Sequence, residues 1–317
     1  MRATWLAIAA AGALAASGCA TTGLAPASEQ AATSCGDQLQ QGWARFDLTV
    51  FAQNGREVPV TVYHPARSGS FPIIGFSHGA YAAPGRYEKM LGPLAGAGFV
   101  VIAPMHVDSE ELTPDIPPPP PPEQWRTRNE DLALALSPPS SIIAKLADRG
   151  ISARPEGKVA MGHSYGTLMA QAAAGAEMKG PGDILRSFAD PAVSAVVAWS
   201  PPKPIPGFIG AEGWAKLAAP SLTITGTADV MPGFVDDWQL HKASYENAPS
   251  PKALWVGEGI DHYFNGMFGR EKPASAKSQE LFERALAQTL GFIEAHTGQT
   301  APCSAGQLAD GESWRVE

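Results

Sequence analysis

A serine with a glycine two residues to either side, Gly162-His163-Ser164-Tyr165-Gly166, separates a short apolar run (Val159, Ala160, Met161) from a segment in which Leu168, Met169 and Ala172 recur at helical spacing. The pattern describes a strand that enters a sharp turn and leaves it as a helix. Glycine at both flanks lets the two backbones close on the turn without a Cβ clash, and holds the serine out at the tip. This nucleophile elbow constrains the rest of the chain, which must supply a sheet for the strand and partners for the serine.

The flanking sequence supplies the sheet. Residues 46–50 and 58–63 alternate apolar and polar around Asn54-Gly55, as an antiparallel edge hairpin does. Residues 71–77 (FPIIGFS), 99–105 (FVVIAPM) and 193–199 (VSAVVAW) are apolar runs suited to strands buried on both faces. Residues 222–225 and 253–256 are shorter ones, the latter expected to be the last strand. Helical patterns fall at 86–97 and 282–296. Strands separated by helices imply an α/β fold with a mostly parallel sheet and right-handed crossovers. Two proline-rich segments interrupt the rhythm, the six prolines at 117–122 and residues 200–210 (SPPKPIPGFIG). Proline lacks an N–H and fixes φ, so the six are expected to be extended throughout, either as a partial lid over the site or as a spacer.

A serine hydroxyl needs a base, and the base needs a carboxylate to fix its tautomer. Of the histidines after Ser164, His241 and His296 sit in helical patterns and read as solvent-facing. His262 follows strand 253–256 through Gly257-Glu258-Gly259-Ile260-Asp261, at the rim where parallel sheets place their sites. The acid belongs after the preceding strand, where Asp229 ends Gly226-Thr227-Ala228-Asp229; Asp236 and Asp237 are the alternatives. Asp261 reads as a loop cap and His163 as a packing residue. Oxyanion donors are expected from the N–H of Tyr165 and, in His78-Gly79-Ala80-Tyr81, from that of Ala80, with Tyr81 second. Tyr81, Trp199 and Tyr263 fall at strand ends and are the candidate substrate-binding residues.

With 317 residues, 44% hydrophobic and 17% charged, the chain can bury one full-size core, and a monomer is expected. The net charge of −8, with no basic run, argues against nucleic-acid binding. Seven scattered histidines and no Cys-x-x-Cys give no support for a metal site. Arg2 followed by the apolar residues 3–16, too short for the roughly 20 residues of a membrane span, reads as a signal peptide over residues 1–18. In an exported protein Cys35 and Cys303 are expected to pair, the alternative being two free thiols.

Ala16-Ser17-Gly18-Cys19 resembles the lipobox of bacterial lipoproteins. That resemblance implies a lipid on Cys19, a tether over residues 19–43, and anchoring in the periplasm or outer membrane; secretion with cleavage nearby is the alternative. Phe76-Ser77-His78-Gly79, Gly162 to Gly166, the Asp229 turn and Asp261-His262 resemble the α/β-hydrolase fold. The first two stretches are similar to its platelet-activating-factor acetylhydrolase and dienelactone-hydrolase-like branch. The catalytic domain would span residues 44–298, with a tail at 299–317. True dienelactone hydrolases use cysteine where this chain has Ser164, and Ala80 stands where the branch often has Leu or Gly. The resemblance implies hydrolysis of a small-molecule ester through an acyl-enzyme, by Ser164, Asp229 and His262, without metal or organic cofactor. An amidase or peptidase of the same fold and a catalytically silent binding lipoprotein are the competing readings. Peptidases of this fold usually carry a propeller or large lid domain for which this chain has no room, and a silent protein would have a broken triad.

Overall fold

In the computed structural model, the described residues are 33–112, 117–179, 185–186, 188–269, 275–298 and 302–317. The signal segment and Cys19 lie outside them. The chain opens with the short helix α1 (Cys35–Leu39) and the hairpin β1 (Trp43–Phe51) and β2 (Glu57–Pro65), paired antiparallel around Gly55. Then β3 (Gly69–Ser77), α2 (Glu88–Gly98) and β4 (Val100–Pro104) follow. Next come α3 (Pro121–Leu136), α4 (Ser140–Ala147), β5 (Ile151–His163) and α5 (Gly166–Ala173). A two-stranded ribbon, β6 (Met178–Lys179) with β7 (Leu185–Arg186), precedes β8 (Val193–Trp199), α6 (Ala211–Trp214) and β9 (Ser221–Ala228). The chain ends with α7 (Ala243–Asn247), β10 (Lys252–Asp261), α8 (Ala276–His296) and β11 (Glu312–Val316).

Nine strands form one sheet in the order β1-β2-β4-β3-β5-β8-β9-β10-β11. The six from β4 to β10 run parallel, and β1, β2 and β11 add antiparallel edges. Alternate residues of each central strand face opposite layers. Ile74, Phe76, Val101, Met161, Val197 and Trp255 pack under α2 and α8. Ile73, Val100, Ile102, Ala160 and Val196 pack under α3 and α5. The continuous apolar runs are thus two interleaved faces, both buried.

Three expectations need correction. The sheet does not end at residues 253–256, because Glu312–Val316 pairs with β10, Trp314 opposite Trp255, within the expected tail. An edge strand half-open to solvent keeps Glu312, Ser313 and Arg315, which hides it among polar residues. The six prolines are not extended throughout, since Pro121 and Pro122 occupy the first turn of α3. A missing N–H costs nothing there, as first-turn donors have no partner within the helix. The fold also reaches into the expected tether: Cys35 on α1 is fully buried and bonded to Cys303, as expected from the cysteine count. Closing so long a loop stabilises the fold by about 2–4 kcal/mol.

Candidate active site

The elbow is built by close backbone approach. A Cβ on Gly162 would stand 2.3 Å from the Gly166 carbonyl oxygen, and one on Gly166 would stand 2.0 Å from that of Ser77. No side chain fits at either position, which is why both are glycine. Between them Ser164 is held at φ 51°, the left-handed region that non-glycine residues rarely visit. Its N–H is fixed by the Trp199 carbonyl at 2.9 Å, and its own carbonyl accepts from the Thr167 hydroxyl at 2.6 Å. The serine side chain is left half-exposed at the C-terminal end of β5.

His262 and Asp229 meet it there. His262 Nε2 lies 2.9 Å from Ser164 Oγ, and His262 Nδ1 lies 2.7 Å from Asp229 Oδ1. Because Asp229 accepts at Nδ1, Nε2 is left to take the serine proton. Thr225 donates to Asp229 Oδ2 at 2.8 Å. Burial pushes the Asp229 carboxyl upward, but hydrogen bonds from His241 and His262 outweigh it and hold the group well below the usual carboxylate range. The alternatives fall elsewhere: Asp236 accepts from the Gly233 N–H, and Asp237 caps the turn at Trp238–Lys242. Asp261 accepts from the N–H groups of Tyr263 and Asn265, so it shapes the loop that carries His262.

His163 ties three loops together. Its Nε2 donates to the His262 carbonyl at 2.8 Å, so its Nδ1 must accept, and Tyr87 donates to it at 2.9 Å. The same Tyr87 oxygen accepts the Gly79 N–H at 3.0 Å. A single proton arrangement therefore links the loop after β3, the elbow and the His262 loop. Burial, assisted by His262, lowers His163 to about 3, which keeps it neutral and the arrangement intact.

At the expected oxyanion position, the N–H groups of Ala80 and Tyr165 have no acceptor among the described residues. That of Tyr81 is committed to Asp108 Oδ2 at 3.2 Å. Tyr81 is exposed at the rim with φ 60°, and Tyr263 stands edge-on to His262 with ring centres 5.2 Å apart. Trp199 is a correction. It is fully buried against Phe264, Phe268 and Phe282 and belongs to the core. His241 is another: it is fully buried, with Nδ1 2.5 Å from the Pro201 carbonyl and Nε2 2.9 Å from Asp229 Oδ1. The turn that carries it is a 3-10 helix, and a period of three presents a different face from the 3.6 period read in the sequence. His296 is partly exposed and bonds back to Phe292.

A family model, Chlorophyllase, an α/β-hydrolase-type serine esterase family, matches residues 40–180. The matched stretch includes the loop at residues 78–81 and the elbow but stops short of Asp229 and His262. No curated protein matches the chain in sequence. Among solved structures, a "Putative Dienelactone Hydrolase" from Klebsiella pneumoniae aligns with a TM-score of 0.51 and 16% identity, over 78% of this chain and 98% of its own. The fold is that of the α/β-hydrolases, and the family match points to a hydrolase acting on esters.

Proposed function

We propose that this protein is a serine hydrolase that cleaves carboxylic esters through an acyl-enzyme. The observation that carries the reading is the unbroken line Ser164 Oγ, His262, Asp229, with spacings of 2.9 and 2.7 Å and an accessible serine at its end. Ser164 Oγ attacks the ester carbonyl while its proton passes to His262 Nε2. Asp229 holds the ring in the required tautomer and stabilises the imidazolium. The oxyanion is received by the N–H groups of Ala80 and Tyr165. His262 then returns the proton to the departing alkoxide, the alcohol leaves, and Ser164 is left acylated. In the second half His262 takes a proton from water, hydroxide adds to the acyl carbon, and the acid departs as Ser164 regains its proton. Tyr81, exposed at the rim, and Tyr263, edge-on to His262, are the side chains proposed to contact substrate.

Export and lipidation at Cys19 complete the reading. The Cys35–Cys303 disulfide supports a compartment outside the reducing cytosol. No helix among the described residues is long and apolar enough to cross a membrane.

The test is labelling with a fluorophosphonate probe, followed by turnover of p-nitrophenyl esters of graded acyl length. Wild type is expected to be labelled and Ser164→Ala not. Labelling that survives in the variant puts the nucleophile elsewhere.

A further inference from the structure

Beneath the loop at residues 78–81 lies a guanidinium that the chemistry above does not use. Arg128, from the first half of α3, is fully buried. A buried arginine is costly unless its charge is matched and its N–H groups find acceptors. The charge is matched by Asp108, whose Oδ1 accepts from Nε at 2.7 Å and Oδ2 from Nη2 at 2.9 Å. Further N–H bonds run to two successive main-chain carbonyls: Nη1 donates to His78 at 2.8 Å and Nη2 to Gly79 at 3.0 Å. The Tyr165 ring lies against the guanidinium, its centre 4.6 Å from Arg128 Cζ. Asp108 Oδ2 also takes the Tyr81 N–H. One ion pair therefore holds the loop at residues 78, 79 and 81, and the backbone donor it leaves open between them is that of Ala80.

The geometry of the peptide unit gives this arrangement a consequence. Among the described residues only Ser250-Pro251 is cis, so the bond joining Gly79 to Ala80 is trans, and its C=O and N–H point in opposite directions. The Gly79 carbonyl is drawn onto Arg128 and also accepts from His78 Nδ1 at 2.7 Å. The Ala80 N–H must then point away from the guanidinium. Gly79 is also close to the nucleophile, since a Cβ built on it would stand 3.5 Å from Ser164 Cβ. We infer that Arg128, held by Asp108, is a positioning residue that fixes the Gly79-Ala80 peptide so that the Ala80 N–H is presented as an oxyanion donor before substrate arrives. The inference rests on the reading of Ser164 as nucleophile. It needs no contact between Arg128 and substrate, and the benefit is preorganisation: a donor already aimed requires no reorientation when charge develops. Lysine cannot substitute, because a single ammonium has no planar fork to hold a carboxylate and two carbonyls together.

The test compares wild type with Arg128→Lys, which keeps a cation beside Asp108, and with Asp108→Asn should the lysine variant not fold. Rates are expressed per Ser164 titrated to completion with fluorophosphonate, so that misfolded protein does not count. The expected result is a fall in kcat of about 10- to 100-fold with KM within about threefold, matched by an equal loss of affinity for a trifluoromethyl ketone, which forms an oxyanion on the serine. A residue that only supports the fold would lower the melting temperature or the titratable fraction and leave kcat per site unchanged, which would overturn the inference. A crystal structure of the variant reads the clamp whether or not wild type turns over esters. A turned or doubled Gly79-Ala80 peptide supports it, and the wild-type orientation retained refutes it. An inert wild type that fluorophosphonate does not label would instead overturn the esterase reading.

Discussion

Among the described residues run two serine–histidine–aspartate lines, and their distances hardly distinguish them. In one, Ser164 Oγ is 2.9 Å from His262 Nε2, and Nδ1 is 2.7 Å from Asp229. In the other, Ser77 Oγ is 2.8 Å from His106 Nε2, and Nδ1 is 3.0 Å from Asp131. Each carboxylate even has a second partner, His241 in the first and Arg56 in the second. The differences lie in backbone and access. Ser164 sits at φ 51° on the elbow, half-exposed, with N–H donors open beside it. Ser77 is the last residue of β3, and Ser77, His106 and Asp131 are all fully buried. Hydrogen-bonding distances alone therefore do not single out a catalyst; in the proposed reading it is the strained turn and the open donors that would let a carbonyl reach the Ser164 line. The second line instead satisfies polar groups under the loop at residues 78–81, where the His106 ring lies tilted against that of His78 with ring centres 4.5 Å apart.

The largest expected difference comes from removing each hydroxyl. Ser164→Ala should abolish ester turnover to the detection limit. Ser77→Ala should leave kcat within about threefold while costing about 1–3 kcal/mol of stability, because His106 Nε2 loses its hydroxyl partner in a fully buried site. The pair is checked by initial rates and urea unfolding of both variants. A Ser77→Ala enzyme as inactive as Ser164→Ala would erase the distinction drawn here.

The carboxylates come next, and their responses to pH have opposite sign. Asp229→Asn should lower kcat by about 10³- to 10⁴-fold, since the ring loses its fixed tautomer, whereas Asp131→Asn should leave kcat nearly unchanged. Burial, only partly opposed by Arg56, raises Asp131 to about 6 from 3.8. A raised carboxyl contributes stability that is fully present below the unfolded pKa and is lost as pH climbs through the folded one. The stability difference between wild type and Asp131→Asn should therefore shrink between pH 4 and pH 7, by about 3 kcal/mol at most. Asp229, lowered instead, contributes stability that is present above pH 3.8 and disappears only in stronger acid. Chemical denaturation across pH 4 to 7 separates the two; parallel curves for wild type and Asp131→Asn would contradict the burial argument.

The sequence displayed the first line and concealed the second for a physical reason. The elbow glycines, the apolar runs and the order of Asp229 and His262 after their strands are local patterns, each forced by backbone geometry. The layer of Ser77, His106, Asp108, Arg128 and Asp131 joins β3, the segment after β4, and α3, and no spacing along the chain announces that these elements meet. Trp199 was legible in part: Ala195, Val197 and Trp199 alternate along β8 onto one face, so counting parity would have put the indole in the core beside the other two. The helix α3 was masked by its own start, because a run of prolines reads as extended until two of them are recognised as a first turn.

The smallest expected effect concerns the second partner of Asp229. The Pro201 carbonyl can only accept, so the short contact at His241 Nδ1 places a proton on that nitrogen. Nε2 of the same ring stands 2.9 Å from Asp229 Oδ1, and the ring lies beside that of His262 with centres 5.7 Å apart. His241 therefore ties the segment at Pro201 to the carboxylate that orients His262. His241→Asn keeps an amide donor for Pro201 and removes the ring that packs between the two. Thr225 and His262 still hold Asp229, so the carboxylate is less restrained but not released. The expected loss in kcat is only about two- to fivefold with KM unchanged, far below that of Asp229→Asn. Initial rates on a single p-nitrophenyl ester at fixed pH check it. A loss as large as that of Asp229→Asn would mean that His241, rather than Thr225, holds Asp229 in place for His262.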